Sequence, residues 1–462
     1  MGRIYTPLFI VENILDLVDY NNQKIIGKHI IDNSCGDGAF LIEIVKRYCQ
    51  NFLNNKKNDI LQLKNHLEKY IHGIEIDRDE YLKCINNLND EAQKYGVNNI
   101  NWDILCADTL MVEKYNHKMD YVVGNPPYVR VHNLAENYDN VKKFSFCENG
   151  MTDLYIVFFE IGFNMLSKNG KMCLITPNSC LNSNAGKGFR EYVYRNKNLT
   201  KIVDLGHFQP FPATTYTMIS LFENNKKVDG VNYCLYDEEK LKPQEKEIIY
   251  YDRIFINGGI YLSDGKGISL LHSIETSYKA ASKRIEVKNG FATLADNIFI
   301  GDFNFNRHVI DIYKASTGKW KKCIFPYNEM GKNISIDEIK DNEEVLEYLI
   351  NKKEILEKRS LTNKDHWYLF GRTQAIKDVF KNKIAINTII KDINSIKLEK
   401  IPAGSGIYSG LYILTDYDYN TIKDIIISDE FVEYVKLLKK YKSGGYYTFS
   451  SIDLNKYLTY KI

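Results

Sequence analysis

Residues 120–130 read DYVVGNPPYVR, a short apolar run that ends in Asn125, Pro126, Pro127 and Tyr128. An amide side-chain oxygen and a main-chain carbonyl stand one residue apart here, on a backbone stiffened by two prolines. Two such acceptors can hold both hydrogens of a conjugated amino group. They can then draw its delocalised lone pair toward tetrahedral geometry as the nitrogen attacks an electrophilic methyl. Acceptors fixed in advance favour the transition state over the ground state. Tyr128 adds a flat face on which a heteroaromatic ring can stack. On these four residues alone, prolines that end an edge strand beside a half-buried tyrosine are the competing reading.

A second constellation lies upstream. IIDNSCGDGAFLIEIV, residues 30–45, places Asp32 at the end of an apolar run, then Ser34, Cys35, Gly36 and Gly38 in a tight turn, then Phe40 opening a helical pattern. Glycines let backbone approach a ligand, and a helix start offers unpaired N–H groups. The turn is not the G-x-G-x-x-G of dinucleotide enzymes, and taken alone it reads equally as structural. GIEID puts Glu75 and Ile76 at the end of a second apolar run, where a carboxylate can accept from both ribose hydroxyls. LCADTL puts Asp108 at the end of a third, placed to accept from an exocyclic adenine amine. Each acid singly reads as a solvated loop residue, but three acidic strand ends followed by Asn-Pro-Pro-Tyr at the fourth do not.

These positions require a scaffold of alternating elements. HIIDN, YIHGIEID, NWDILCAD, DYVVGN, KMCLITP, KIVDLG and TMISLF read as buried strands. AFLIEIVKRYCQNFL, DEYLKCINNLNDEAQKY, DLYIVFFEIGFNML and GFREYVYRN carry helical spacing between them. The alternation predicts an α/β fold, a doubly wound and mostly parallel sheet of the Rossmann-like class, with ligands at the carboxyl ends of its strands. After YCLYDEEKLKPQEKE, around 235–247, the pattern becomes irregular and richer in Tyr, Asn and isolated Gly. A second, smaller α+β domain is expected beyond it, joined by a helical GISLLHSIETSYKAASKRI.

A chain of 462 residues exceeds the size at which single cores stop growing, which also predicts two domains. With 44% hydrophobic and 26% charged residues it reads as an ordinary globular protein, not a disordered or fibrous one. The net charge of +2 neither demands nor excludes a polyanion, and residues 286–462 hold 27 Lys and Arg against 24 Asp and Glu, a net of +3. Nine cysteines without a C-x-x-C pair argue against a disulfide framework or a zinc site, and a reducing cytoplasm fits. No apolar stretch approaches the length of a membrane span, and the start lacks a signal core. MGRIYT matches an acylation pattern formally, but Thr6-Pro7 has a better use.

With these motifs in order, the chain resembles the S-adenosylmethionine-dependent DNA adenine-N6 methyltransferases of the gamma class, the TaqI-like enzymes of restriction-modification systems. The likeness runs through most of residues 4–225. YTPLFIVENILDLV is similar to the family's N-terminal cofactor motif, with Thr6 and Pro7 at its Thr-Pro, which contacts the methionine part. DNSCGDGAF is similar to the main cofactor loop, implying Asp32, Ser34, Cys35, Gly36 and Gly38 as cofactor contacts; Glu75, Ile76 and Asp108 match the ribose and adenine positions. Asn125, Pro126 and Tyr128 match the catalytic tetrapeptide, with Asn125 also beside the cofactor. MTDLYIVFFE and GKMCLITPNSCL resemble the supporting motifs. FQPFPATTYTMISLF resembles the motif whose Phe, here Phe211, packs on the other side of a flipped base. Asn33 departs from a common Pro, and NNKKNDILQLKN implies an inserted helix or loop.

The resemblance implies S-adenosylmethionine as cofactor, no metal, and methyl transfer to an adenine flipped out of double-stranded DNA. It divides the chain into a catalytic domain at 1–245, a connector at 246–285 and a DNA-recognition domain at 286–462. A monomer is expected, with a separate cognate restriction endonuclease as a candidate partner; a fused nuclease is not expected, since the cofactor motif starts within ten residues of the first and one recognition domain accounts for the rest. In the last domain HWYLFGRTQ, IPAGSGIYSGLYIL and YKSGGYYTFSS have the character of such domains; Arg372 and Gln374 have side chains suited to guanine and adenine edges, and surface residues around aromatic packing are the equal alternative. FVEYVKLLKKYK reads as a core-packed helix with a basic face. The rival functions are methylation of another amino group (cytosine N4, ribosomal RNA guanine or protein glutamine) and a DNA-binding specificity subunit without catalysis. Ser at the Asn125 position would suit a cytosine enzyme, the other enzymes are shorter at the C-terminus, and Asn125, Glu75 and Asp108 are all intact against the last.

Overall fold

A computed structural model describes residues 5–55, 59–129, 138–147, 153–211, 215–280, 285–340, 343–359, 361 and 366–462. Arg130, Met151, Thr152, residues 212–214 and the centre of NNKKND, all within motifs quoted above, lie outside the described residues. The chain divides into two compact units, 1–268 and 269–462.

The first unit is built on nine strands: β1 (Ile30–Asp32), β2 (Ile71–Glu75), β3 (Asp103–Cys106), β4 (Met119–Gly124), β5 (Leu166–Pro177), β6 (Leu199–Asp204), β7 (Thr217–Glu223), β8 (Gly230–Asp237) and β9 (Lys242–Tyr250). They lie in the order β3-β2-β1-β4-β5-β7-β6-β8-β9. The first five are parallel, and β7 runs against both of its neighbours. All seven expected strands are present. They read as apolar runs because both faces are covered, so alternate side chains enter different cores. Ile31, Val122, Met172, Leu174 and Ile202 pack with helices Leu154–Met165 and Lys187–Asn196. Ile30, Val123, Cys173, Ile175 and Val203 pack with α1 (Leu8–Leu17), α2 (Ala39–Asn55), α3 (Ile60–Tyr70) and α4 (Arg78–Gln93). The four expected helices are all found, and α3 is the insertion between Asp32 and Glu75. β1 has a parallel neighbour on each side, β2 and β4, and the connections leave it in opposite directions. The crevice at its carboxyl end is where ligands bind such sheets.

β8 and β9 were hidden in the stretch whose composition suggested a domain boundary. They form an antiparallel hairpin that completes the sheet, and β9 runs to Tyr250, beyond the boundary placed at 245. As an edge strand it keeps most of its residues in water, so it reads as polar and charged. The division between the units falls at 268/269, inside the helix Gly265–Ala280 that was read as the connector.

The second unit is α+β. One antiparallel sheet joins Ile285–Asn289, Leu411–Thr415, Lys383–Ile386 and Leu398–Ile401. Another joins Ile300–Gly301, Lys319–Ile324, Val309–Lys314 and Gly406–Tyr408. The lysine-bearing segment is the helix Asp429–Leu437, with Phe431, Val432, Tyr434, Val435 and Leu437 buried, so its packing role is observed.

The loop after β5 depends on one close backbone approach. Arg190, 7% exposed, donates to the carbonyls of Cys180 (2.8 Å) and Ser183 (2.6 Å). Gly186 lies so near that a β-carbon there would be 2.1 Å from the Cys180 carbonyl oxygen. Gly186→Ala must displace that backbone and is expected to cost about 1–3 kcal/mol. Chemical denaturation measures this, and an unchanged midpoint would contradict the packing.

Candidate functional site

The carboxyl ends of β1, β2, β3 and β4 meet at one cleft of about 1110 Å³. β1 ends at buried Asp32, and the turn that follows is closed by Gly38 N–H donating to the Cys35 carbonyl at 2.8 Å. Cys35 N–H donates to the Ile74 carbonyl at 3.0 Å, tying the turn to β2. Gly36 (φ +52°) and Gly38 (φ +94°) take conformations that favour glycine. At Gly38 a β-carbon would also lie 2.9 Å from Cys84 Sγ on α4, so this glycine serves the packing of turn on helix.

At the end of β2 both oxygens of Glu75 accept main-chain N–H groups, from Gly36 and from Asp77, each at 2.8 Å. The carboxylate is thereby held in one orientation with lone pairs remaining on each oxygen. Asp77 caps α4 by accepting from Asp79 and Glu80 N–H. Beyond β3, Asp108 Oδ1 accepts Leu110 N–H at 3.0 Å, and Thr109 Oγ1 donates to the Asn33 carbonyl at 2.7 Å.

The tetrapeptide follows β4. Asn125 Nδ2 donates to Thr6 Oγ1 at 3.1 Å, joining it to the segment before α1, and Ser34 Oγ donates to the Asn125 carbonyl at 3.4 Å. Asn125 Oδ1 is buried and has no hydrogen-bond partner among the described residues. Pro126 is buried. Tyr128 donates its hydroxyl to the Ile175 carbonyl at 3.1 Å and stands edge-on to Tyr155 and Phe211. Burial pushes the Tyr128 hydroxyl well above its ordinary pKa, so it stays a donor.

Of the residues singled out in the sequence, Thr6, Asp32, Ser34, Cys35, Gly36, Glu75, Ile76, Asp108, Asn125, Pro126 and Tyr128 line this cleft. Pro7 and Gly38 do not line it: Pro7 starts α1, its carbonyl accepting from Ile10 and Val11, and Gly38 packs against α4. Phe211 is also outside the lining. It is 4% exposed, with its ring 6.3 Å from that of Tyr128 at 76°, so the two rings form no parallel slot. Arg372 and Gln374 are exposed in the second unit, where Arg372 N–H donates to the Ala292 carbonyl. Tyr5, Asp37, Phe40, Glu80, Leu154 and Phe158 line the cleft without having been singled out. Tyr5 and Phe40 flank quoted motif residues, and Leu154 and Phe158 stand four apart on one helix, a spacing that reads as ordinary core.

Six carboxylates, Asp32, Asp37, Glu75, Asp77, Glu80 and Asp108, line the cleft, and among its described lining residues there is no Lys, Arg or His. The arrangement suits a ligand that is cationic and rich in hydroxyl or amine donors, and it opposes a pyrophosphate. Burial, with a smaller push from Glu75, raises Asp32 to about 7, against the Ser34 N–H that donates to it at 3.0 Å. Burial likewise raises Asp37.

Residues 39–211 match the sequence profile of the Eco57I restriction-modification methylase. Among curated proteins, the type II methyltransferase M.BstVI of Geobacillus stearothermophilus is 25% identical over 420 residues, covering 79% of this chain and 73% of that protein. The type II restriction enzyme and methyltransferase RM.Eco57I of Escherichia coli is 22% identical over 479 residues, 81% of this chain and 48% of its own length. The chain thus spans about half of that relative. The type IIL restriction-modification enzyme MmeI, solved in complex with DNA, shares the fold with a TM-score of 0.62 at 13% identity, over 89% of this chain and 60% of MmeI. Among the described residues no helix is long and apolar enough to cross a membrane.

The Asp32 carboxyl gives a test by pH. Its ordinary pKa of 3.8 in the unfolded chain and about 7 in the fold mean that the folded state holds a proton the unfolded state has lost between those values. Its contribution to stability is therefore fully present below about pH 4 and is lost as pH rises through 7. Relative to the parent, Asp32→Asn is expected to gain about 2–4 kcal/mol between pH 4 and pH 8 in denaturant unfolding. Parallel pH profiles for the two proteins would contradict the buried carboxyl.

Proposed function

We propose that this chain, which carries an Eco57I-type restriction-modification methylase domain over residues 39–211, is a site-specific DNA adenine-N6 methyltransferase. It would act as a monomer on double-stranded DNA, as the modification enzyme of a type II system with a separate cognate endonuclease. The observation that carries the reading is the buried Asn125 oxygen at the end of β4, unpartnered among the described residues, beside a cleft whose described lining holds six carboxylates and no Lys, Arg or His.

S-adenosylmethionine, when bound, supplies a methyl group on a sulfonium. The donor set fits it. Glu75 offers two oriented oxygens to ribose hydroxyls, and Asp108 keeps a free oxygen for an adenine amine. Asp32, Thr6 and Ser34 stand toward the tetrapeptide, where the cationic methionine part would be held. Acidic walls favour that cation, and Ile76, 62% exposed, offers apolar surface beside the ribose position.

The target adenine must leave the duplex before its amine can reach the site. Tyr128, fixed through Ile175, provides the stacking face. A base between two parallel rings needs them about 7 Å apart, so admitting it requires Phe211 to turn from its edge-on position. Thr6 accepts from Asn125 Nδ2 and so leaves Oδ1 as the acceptor for one amino hydrogen. The Pro126 carbonyl takes the other. Together they localise the nitrogen lone pair for direct transfer, with no covalent enzyme intermediate.

Asn125→Ala is expected to retain cofactor and duplex binding while lowering transfer at least about a hundredfold, read by tritiated methyl incorporation. Retained turnover would contradict the role. Glu75→Ala should weaken cofactor binding by about 1–3 kcal/mol in calorimetry, and an unchanged affinity would remove Glu75 from the site. Long-read sequencing of DNA from a host expressing the chain tests the reaction itself. N6-methyladenine in a defined context is expected, and a mark on cytosine N4, or none, would overturn the assignment.

A further inference from the structure

The second unit contains a hairpin whose tip lysines neither its core packing through Ile312, Tyr313, Cys323 and Ile324 nor the sequence motifs explain. Strands Val309–Lys314 and Lys319–Ile324 pair antiparallel, joined by a turn in which the Lys314 carbonyl accepts N–H from Thr317 (3.1 Å) and Gly318 (2.8 Å). Gly318 takes φ +72° to close it. The register places Lys314 opposite Lys319 and Lys321 opposite Ile312, so three lysines share one face at the tip. Like charges directly opposed on a sheet destabilise it.

On the other face Tyr313 meets Trp320 edge-on at 5.4 Å, and Trp320 remains 45% exposed. Lys322 is paired with Asp311 at 3.2 Å, and Lys397 reaches the turn by donating to the Ser316 carbonyl at 3.0 Å. No ion pair to Lys314, Lys319 or Lys321 is present among the described residues; Lys314 lies over the Tyr408 ring, 5.7 Å away. The tip thus carries an uncompensated block of positive charge.

That block accounts for the net charge of residues 286–462. Residues 307–324 hold Arg307, Lys314, Lys319, Lys321 and Lys322 against Asp311 alone, a net of +4, whereas all of 286–462 is only +3. The remainder of that segment is therefore slightly acidic. A cation cluster confined to one ribbon, with exposed Ser316 and Thr317 hydroxyls at its turn and an exposed indole beside it, has the composition of a phosphate-binding surface. A folded core gains nothing from such clustering, and a linear polyanion relieves its self-repulsion.

We propose that this hairpin anchors the phosphate backbone of duplex DNA, Lys319 and Lys321 making contacts that position the duplex without reading its sequence. The inference rests on the DNA-methyltransferase reading. Its test is a salt titration of duplex binding by the full chain, followed by fluorescence anisotropy, for the parent, the double variant Lys319→Ala/Lys321→Ala and a Lys319→Arg/Lys321→Arg control.

Lys319 is exposed and Lys321 half-buried, and neither is ion-paired among the described residues, so melting curves should differ little. The alanine variant is expected to lose affinity about tenfold per contact near 0.1 M salt, equally for unrelated sequences, and its log–log salt slope should fall by about 0.9 per contact. The arginine control should keep the parent's slope. A parent that binds duplex with a slope the alanine variant shares would overturn the hairpin assignment and leave the methyltransferase reading standing. A parent that binds no duplex at any salt would overturn both. Loss of binding to anionic lipid vesicles, with duplex binding unchanged, would assign the ribbon to a membrane surface and overturn the proposal.

Discussion

The close approach of β4 to β1 governs the site. A β-carbon at Gly124 would lie 2.8 Å from Asp32 Oδ1, so only glycine lets β4 pass over the end of β1. That passage delivers Asn125 against the turn of residues 33–38, where Ser34 bonds its carbonyl, and against Thr6, which bonds its amide. Three chain segments far apart in sequence are thereby locked around one side chain. Parallel pairing of β1 with both β2 and β4 supplies the rest, because it aligns four strand ends on one rim.

The same convergence sets the electrostatics. Strand ends that each carry an acid bring their charges together, and burial makes the innermost, Asp32, hold its proton to about pH 7. Glu75 is held differently: two main-chain N–H groups point at its two oxygens and fix their direction. One acid is thus a buried polar anchor and the other an oriented acceptor. The contrast follows from the depth of the first side chain and the paired amides that face the second.

Much of this was legible in the sequence for identifiable reasons. Strands covered on both faces read as apolar runs, and the acids and the Asn-Pro-Pro-Tyr segment stood at their ends, so eleven residues singled out there line one cleft. What escaped notice lacked such signals. β9 is an edge strand whose exposed face imitates a linker, so its last residues were placed in the connector of 246–285, within which the division at 268/269 falls. Pro7 and Gly38, named with the motifs, start α1 and pack the turn on α4, contacts that a linear pattern does not display. Leu154 and Phe158 were indistinguishable from core because their neighbours on the same helix are buried as well. In the second unit, Arg372 and Gln374 were conspicuous by residue type, whereas the lysines of 314–322 gain meaning only when a hairpin register places them face to face.

Asn125 also shows why stability alone does not explain the site. A buried acceptor without a partner costs about 1–3 kcal/mol, and Thr6 could satisfy only the other end of the amide. An aliphatic side chain would remove that cost at the loss of the bond to Thr6, and no described residue uses the oxygen. The prolines that follow add stiffness where the chain could otherwise relax and turn the oxygen to a donor. The arrangement holds an acceptor in reserve at the expense of the unliganded fold. On the proposed reading, that reserve is released only when an amino group arrives, which confines its benefit to the complex about to react.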